Sequence, residues 1–248
     1  MDIGGTFLKA AVLDSGSSIV AERVKKPTPR PATPDAVIEA IVGLAAQFPP
    51  FDRVSVGFPG VVSGGTVVTA PNLGTRQWAG YQLIDVLAHR FGVPVRLLND
   101  AAVQGLGVVK GDGLECVITL GTGVGCALFR KRRLLLHLEF GQHRRSADVN
   151  YDGYIGQRAL DAVGLEVWNA RVRESIETVI ELTNCETLYV GGGNARKIAC
   201  ELPLKAQIVS NAAGVTGGVR LWEPGMDEFF AGEINAQWPP LPAAEEVQ

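Results

Sequence analysis

Two short glycine–threonine runs carry groups suited to holding phosphate. They are Gly4-Gly5-Thr6 and Gly121-Thr122-Gly123, the second extended by Gly125. Successive backbone N–H groups freed from ladder pairing form a concave nest for an anion. Thr6 and Thr122 add hydroxyl donors, and Lys9 adds a cation nearby. Either loop alone is equally an ordinary hairpin turn. Two of them at matching places in a repeated pattern would face each other across a cleft and grip a polyphosphate chain from both sides. The familiar alternatives are missing: no G-x-x-x-x-G-K-[ST] loop occurs, and no G-x-G-x-x-G follows a strand and opens a helix. Asn99-Asp100 close a strand just before a helix, where open α/β sheets place ligand-contacting groups. Asn or Asp there also serves as a helix N-cap, so the position leaves both readings open. A carboxylate facing a phosphate-gripping cleft is what phosphoryl transfer to an alcohol needs as general base. Asp2, beside the first loop, is the natural carboxylate to hold Mg²⁺ directly or through water.

The elements that must position these groups follow from apolar patterning. Phe7 to Leu13 and Ile19 to Lys25 read as strands around an Asp14–Ser17 turn. The strand before Gly4 is nearly missing. Pro34-Asp35 open a helix, Val54 to Phe58 a buried strand, and Val61 to Thr69 a hairpin tipped by Ser63-Gly64-Gly65. A helix from Leu83 to Phe91, a strand from Val93 to Leu98 and a helix from Ala101 to Val109 follow. The second half restarts the pattern: Cys116 to Leu120, a Gly/Thr loop, Cys126 to Arg130, a turn, then Leu134 to Leu138. Helices over 157–163 and 165–182 and a strand from Thr187 to Val190 complete it. Strand, Gly/Thr loop, strand, turn, strand therefore occurs twice, and an internal duplication is expected. The expectation is an α/β protein of two lobes, 1–113 and 114–248, with a central cleft. The tail after Pro224 is expected to be loosely ordered.

Composition narrows the function. Of 248 residues, 46% are hydrophobic and 20% charged, which excludes a disordered chain. A net charge of −3 argues against a general nucleic-acid or anionic-membrane binder. No apolar run approaches the ~20 residues that span a bilayer. Asp2 stands where a secretory signal would carry basic residues, so a cytoplasmic protein is expected. Cys116, Cys126, Cys185 and Cys200 form no C-x-x-C pair and suit buried thiols. The basic runs 130–133 and 143–145 read as solvated turns, His89 and His137 as helix-surface and strand residues, and Trp78 and Trp168 as packing anchors.

Taken in order, these residues resemble the ROK family of sugar kinases, within the actin-like ATPase (ribonuclease H-like) superfamily. The motifs run over residues 1–220: Asp2-Ile3-Gly4-Gly5-Thr6 with Lys9, Gly57-Phe58-Pro59-Gly60-Val61, Asn72-Leu73 with Trp78, and Asn99-Asp100-Ala101. Then come Gly121-Thr122-Gly123-Val124-Gly125, Glu139-Phe140-Gly141, and Gly191-Gly192-Gly193. The resemblance implies a kinase transferring phosphoryl from ATP or polyphosphate to a hexose, glucose by default, with the donor at the two Gly/Thr loops. It implies an adenosine side at Gly191, Gly192, Gly193 and Asn194. It implies a sugar site from Gly60, Asn72, Asn99, Asp100 and Glu139, with Asp100 as the base. Most relatives read E-x-G-H, followed by a Cys-rich zinc loop. This chain has Gln142 at that position, which leaves His143 as the candidate for the sugar contact. No cysteine lies between Cys126 and Cys185, so no zinc is expected, as in the branch with polyphosphate-using glucokinases. Asp152, in the segment replacing the metal loop, is a candidate for a further acidic sugar contact. Relatives carry several apolar residues before the first motif, whereas here Met1 precedes it directly; either the first strand is shortened or the true start lies upstream. A homodimer is also implied. The alternative is a non-catalytic or degenerate sugar-sensing module, since the family contains repressors; those carry a helix-turn-helix ahead of this region, and none is expected here.

Overall fold

The computed structural model describes residues 1–234. Alternating burial along Phe7–Leu13 (β2) makes it the inner strand of an antiparallel pair with Ile19–Pro27 (β3). Asp2–Ile3 (β1) lies antiparallel to β2, with Asp2 opposite Lys9, and parallel to Val54–Phe58 (β4). Val95–Asn99 (β7) extends the parallel side, giving the order β3-β2-β1-β4-β7. Val62–Ser63 (β5) and Thr66–Val67 (β6) form the separate small hairpin. The second sheet contains Leu114–Leu120 (β8), Val124–Arg130 (β9), Arg133–Leu138 (β10), Thr187–Gly191 (β11) and Ala206–Ile208 (β12). Its order, β10-β9-β8-β11-β12, is the order of the first sheet, so the duplication read from the pattern is a duplication of topology.

Helices cover these sheets. Pro34–Ala45 (α1) is capped by Thr33, whose hydroxyl accepts from the Ala36 amide, and buries Val37, Ile38, Ile41 and Leu44. Thr75–Trp78 (α2) and Leu83–Phe91 (α3) close the first core, where Trp78 is fully buried and donates to Ala32 O at 2.8 Å. Asp100–Val108 (α4) leads out of β7. Tyr151–Ile155 (α5) precedes Gln157–Thr183 (α6), which breaks at Gly164, φ 77°, between the two helices expected there. Trp168 anchors the second core through a 2.8 Å bond to Ile155 O.

The end of the chain corrects two expectations. Asn211–Arg220 (α7), which the patterning missed, and Asp227–Ile234 (α8) do not extend the second lobe alone. They pack back on the first, and a third core joins Leu98, Val103 and Leu106 to Phe129, Leu221, Met226 and Phe230. Residues 224–234, expected loose, form a turn and a helix with Met226 and Phe230 buried; 235–248 lie outside the described residues. Ser55 Oγ donates to Gly218 O at 2.5 Å and accepts from Trp222 Nε1 at 2.9 Å. Arg96 donates to Leu221 O and to Asp227, with its guanidinium 4.5 Å from the Trp222 ring centroid. Helices α4 and α7 touch backbone to backbone: a Cβ on Gly217 would stand 1.8 Å from Val103 O. Gly217→Ala gains about 1 kcal/mol of helix propensity, but forcing the helices apart costs about 1–3 kcal/mol or more. With backbone meeting backbone at 1.8 Å the upper end of that cost applies, the clash wins by about 2 kcal/mol, and the thermal midpoint is expected to fall by about 4–8 °C; an unchanged midpoint would refute the close packing.

Beside Met1, β2 and β4 flank a cavity of about 920 Å³ lined by Ala10 to Asp14, 52–55 and Trp222. The Met1 ammonium is buried there, donating to Ser55 O at 2.6 Å, and burial pushes its pKa below the usual value.

Candidate active site

The first hairpin turns tightly, with the Gly4 amide bonding Phe7 O at 3.0 Å. Its carbonyls are drawn away from the cleft. Thr28 Oγ1 donates to Gly4 O at 2.6 Å, Arg30 Nη2 to Gly5 O at 2.7 Å, and the Thr28 amide to Thr6 O at 3.0 Å. The second hairpin is built alike. Gly121 O accepts from the Gln157 amide at 3.0 Å and Asn194 Nδ2 at 3.2 Å, and Gly123 O from the Gly121 amide at 2.9 Å. Carbonyls held by the protein leave the donor side of each turn for an anion. Sequence reasoning missed Thr28, Arg30 and Gln157, because nothing in their local pattern marks a partner so far along the chain.

The hairpins meet. Thr6 Oγ1 and Thr122 Oγ1 stand 3.0 Å apart, and Asn72 lies between the loops. A Cβ on Gly5 would come 3.0 Å from Asn72 Cβ, and one on Gly123 3.0 Å from Asn72 Nδ2. Below them is a cleft of about 140 Å³. Asp2, Gly4, Gly5, Lys9, Gly60, Asn72, Asp100, Gly121 to Gly125, Glu139, Gly192 and Gly193 all line it, from both halves of the chain. The 920 Å³ cavity is larger, but only Asp2, Lys9 and Asp100 among the phosphate and acid groups reach it.

Asp100 opens α4, and its Oδ1 accepts from the Ala101 amide at 2.8 Å. A Cβ on Gly125 would stand 3.7 Å from that oxygen, which places the acid against the second hairpin. Burial, then the negative charges of Asp2 and Glu139, push its pKa up to about 7, against the Ala101 bond and Lys9. Asp2 Oδ2 is paired with Lys9 Nζ at 2.9 Å. Glu139, partly exposed, has Oε1 3.1 Å from His137 Nε2.

Several expected contacts find other partners. Asn99 Oδ1 accepts from the Ala101 and Ala102 amides at 2.8 and 3.3 Å, and its Nδ2 donates to Gly60 O at 3.2 Å. It lines the cleft but its side chain caps the helix and ties it to the Gly60 turn. Gly60 admits no side chain, since a Cβ would stand 2.1 Å from Thr69 O. Asn194 fastens the second hairpin, and only Gly192 and Gly193 of its turn reach the cleft; Gly191 ends β11. His143 follows the 3₁₀ turn Phe140–Gln142, stands outside the cleft lining and stacks against Tyr151 with ring centroids 6.2 Å apart. His137 lies in β10, as read from the sequence, and also lines the cleft. His143→Ala is expected to leave kcat/KM for sugar within about twofold, as for an ordinary surface change; a tenfold loss would return His143 to the site. Asp152 Oδ1 accepts from the Val124 amide at 2.7 Å and Oδ2 from Gln142 Nε2 at 2.7 Å, with its pKa raised first by burial.

Residues 1–136 match the model of the ROK family. A polyphosphate glucokinase of Mycobacterium leprae (strain TN) is 31% identical over 240 residues, covering 88% of this chain and 72% of the relative. The chain belongs to the ROK family. Among solved structures, the inorganic polyphosphate/ATP-glucomannokinase of Arthrobacter sp. strain KM superposes with a TM-score of 0.80 at 30% identity, over 88% of this chain and 95% of that one. A ROK family glucokinase from Streptomyces griseus, in complex with glucose and AMPPNP, superposes at 0.71 with 23% identity, over 89% and 97%, which shows the shared fold. The two-lobe, actin-like ROK architecture thus stands on both topology and relatives. Among the described residues, no helix is long and apolar enough to cross a membrane.

Proposed function

We propose that this ROK protein is a sugar kinase that transfers phosphoryl from ATP or polyphosphate to a hexose hydroxyl, with glucose as the default acceptor and Asp100 as general base. One observation carries this reading. An acid with a pKa near neutrality lies in the same cleft as two hairpins that meet at Thr6 and Thr122. Relatives named polyphosphate glucokinase and glucokinase support it.

The phosphate chain rests against the donor sides of both hairpins, and Lys9 offsets its charge. Mg²⁺ fits the residues present, for it keeps most of its waters and takes one or two carboxylates besides the phosphates. Asp2, which lines the cleft with Oδ2 paired to Lys9 Nζ at 2.9 Å, would hold the ion directly or through water, leaving Asp100 free to accept a proton. When bound, the ion would neutralise charge on the phosphates. The acceptor lies over Asp100, where Glu139 can accept two bonds from neighbouring sugar hydroxyls and Asn72 can donate or accept one. As the terminal phosphoryl leaves its donor, Asp100 takes the hydroxyl proton. With Thr6 and Thr122 already in contact, the lobes must part to admit substrate, and closing again excludes the water that would compete as acceptor.

A matrix of donors (ATP, polyphosphate) against sugars (glucose, mannose, N-acetylmannosamine) tests the reading. Sugar phosphate formed in the glucose rows is expected. Zero turnover in every cell together with tight sugar binding by calorimetry would make the protein a sensor.

A further inference from the structure

His137 reaches the cleft because β10 is irregular. β10 runs antiparallel to β9, with Leu134 opposite Phe129, Leu136 opposite Leu128 and His137 opposite Ala127, and the register shifts between Leu134 and Leu136. Residues opposite one another on paired strands share a face of the sheet. Ala127 and Phe129 belong to the third core with Val103 and Leu106 of α4, so Leu134 and His137 share that face although they are three residues apart. Strict alternation from Leu134 would turn His137 to the opposite face. One extra residue, Leu135, re-aims it, as bulges next to active sites do. The His137 side chain is only 14% exposed and lines the cleft, with Nε2 3.1 Å from Glu139 Oε1. Glu139 precedes the Phe140–Gln142 turn without capping it through its side chain. Among the described residues no other polar side chain is paired with its carboxylate. The charge of Glu139 is also felt at Asp100, whose pKa it helps to raise. A carboxylate that must meet two hydroxyls gains from a partner that limits its rotation, because the ordering is done before the sugar arrives.

We infer that His137 is a positioning residue, which holds the Glu139 carboxylate in the orientation that receives neighbouring hydroxyls of the acceptor. Leu135 is the added residue that brings it there. Service to a sugar rests on the sugar-kinase reading; the bulge and the pairing with Glu139 do not.

A double-mutant cycle separates this role from direct sugar contact. His137→Ala is expected to raise the glucose KM about tenfold, with kcat and the KM for ATP within about threefold of wild type. His137→Gln keeps an N–H donor near the place of Nε2 and is expected to stay within about threefold in all three. Added to Glu139→Ala, His137→Ala is expected to change the glucose KM by less than about twofold, because no carboxylate is left to position. Should His137→Ala fail to fold, His137→Phe fills the space without a donor and takes its place in the cycle. A tenfold rise that persists on the Glu139→Ala background would make His137 a sugar ligand or a support of the fold in its own right, and would overturn the inference. So would an unchanged glucose KM in His137→Ala, or a Gln variant as damaged as Ala. If the wild type binds glucose but phosphorylates no sugar, the kinase reading fails, while the same cycle run on glucose affinity by calorimetry still decides whether His137 acts through Glu139. A protein that binds no glucose overturns both.

Discussion

Asp100→Asn lowers glucose turnover by about 10²–10⁴-fold and leaves glucose binding within a few fold, as expected for a lost general base. The amide keeps the bond from the Ala101 amide, so the helix start is preserved while the proton acceptor is gone. The wild-type profile carries the same information. With its pKa raised to about 7, mainly by burial, Asp100 is protonated below neutrality. kcat/KM is expected to rise about tenfold per pH unit up to that point and then level off. Stability runs the other way. An acid whose folded pKa exceeds its unfolded value stabilises fully below the unfolded pKa, and that contribution is lost as pH rises through about 7. At pH 8 Asp100→Asn is therefore expected to be more stable than wild type by about 1–3 kcal/mol, and the difference should vanish near pH 4. A variant both less active and more stable identifies a functional acid. One that retains more than half of wild-type activity, or is destabilised at pH 8, reduces Asp100 to a structural residue.

Glu139→Ala is expected to raise the glucose KM by about 10²-fold or more while changing kcat far less. Two charge-assisted hydrogen bonds to neighbouring hydroxyls are worth about 1.5–3 kcal/mol each net of exchange with water, and truncation removes both. Glu139 is partly exposed and pairs with His137 rather than filling a core, so folding should be little affected. Steady-state kinetics over a wide glucose range decides it; a KM change below threefold would remove Glu139 from the sugar site.

What was legible in the sequence were the local signals. Apolar strands beside Gly/Thr turns placed both hairpins, and the repeat of that pattern pointed to an internal duplication, which the two sheets carry in a shared strand order that only the structure gives. Asn99-Asp100 could be placed at the strand end, and the structure divides the two readings between the residues: Asn99 caps and Asp100 faces the cleft. Long-range partners were not legible. Arg30 holding Gly5, Gln157 holding Gly121 and Arg96 holding the chain at Leu221 are contacts that only the completed fold defines. The glycine-rich α7 was missed because Gly217 serves its close approach to α4 rather than any helical propensity. That His137 in β10 would line the cleft was not legible either, since an alternating strand pattern does not say which face meets the first lobe.

The grip of both hairpins on one phosphate chain is tested most directly by amide hydrogen exchange, with AMPPNP, Mg²⁺ and glucose added to the protein. Protection of 4–6 and of 121–125 in the same titration is the predicted result. Protection of one hairpin alone, or of neither while the nucleotide is bound, would contradict a donor held from both halves of the chain.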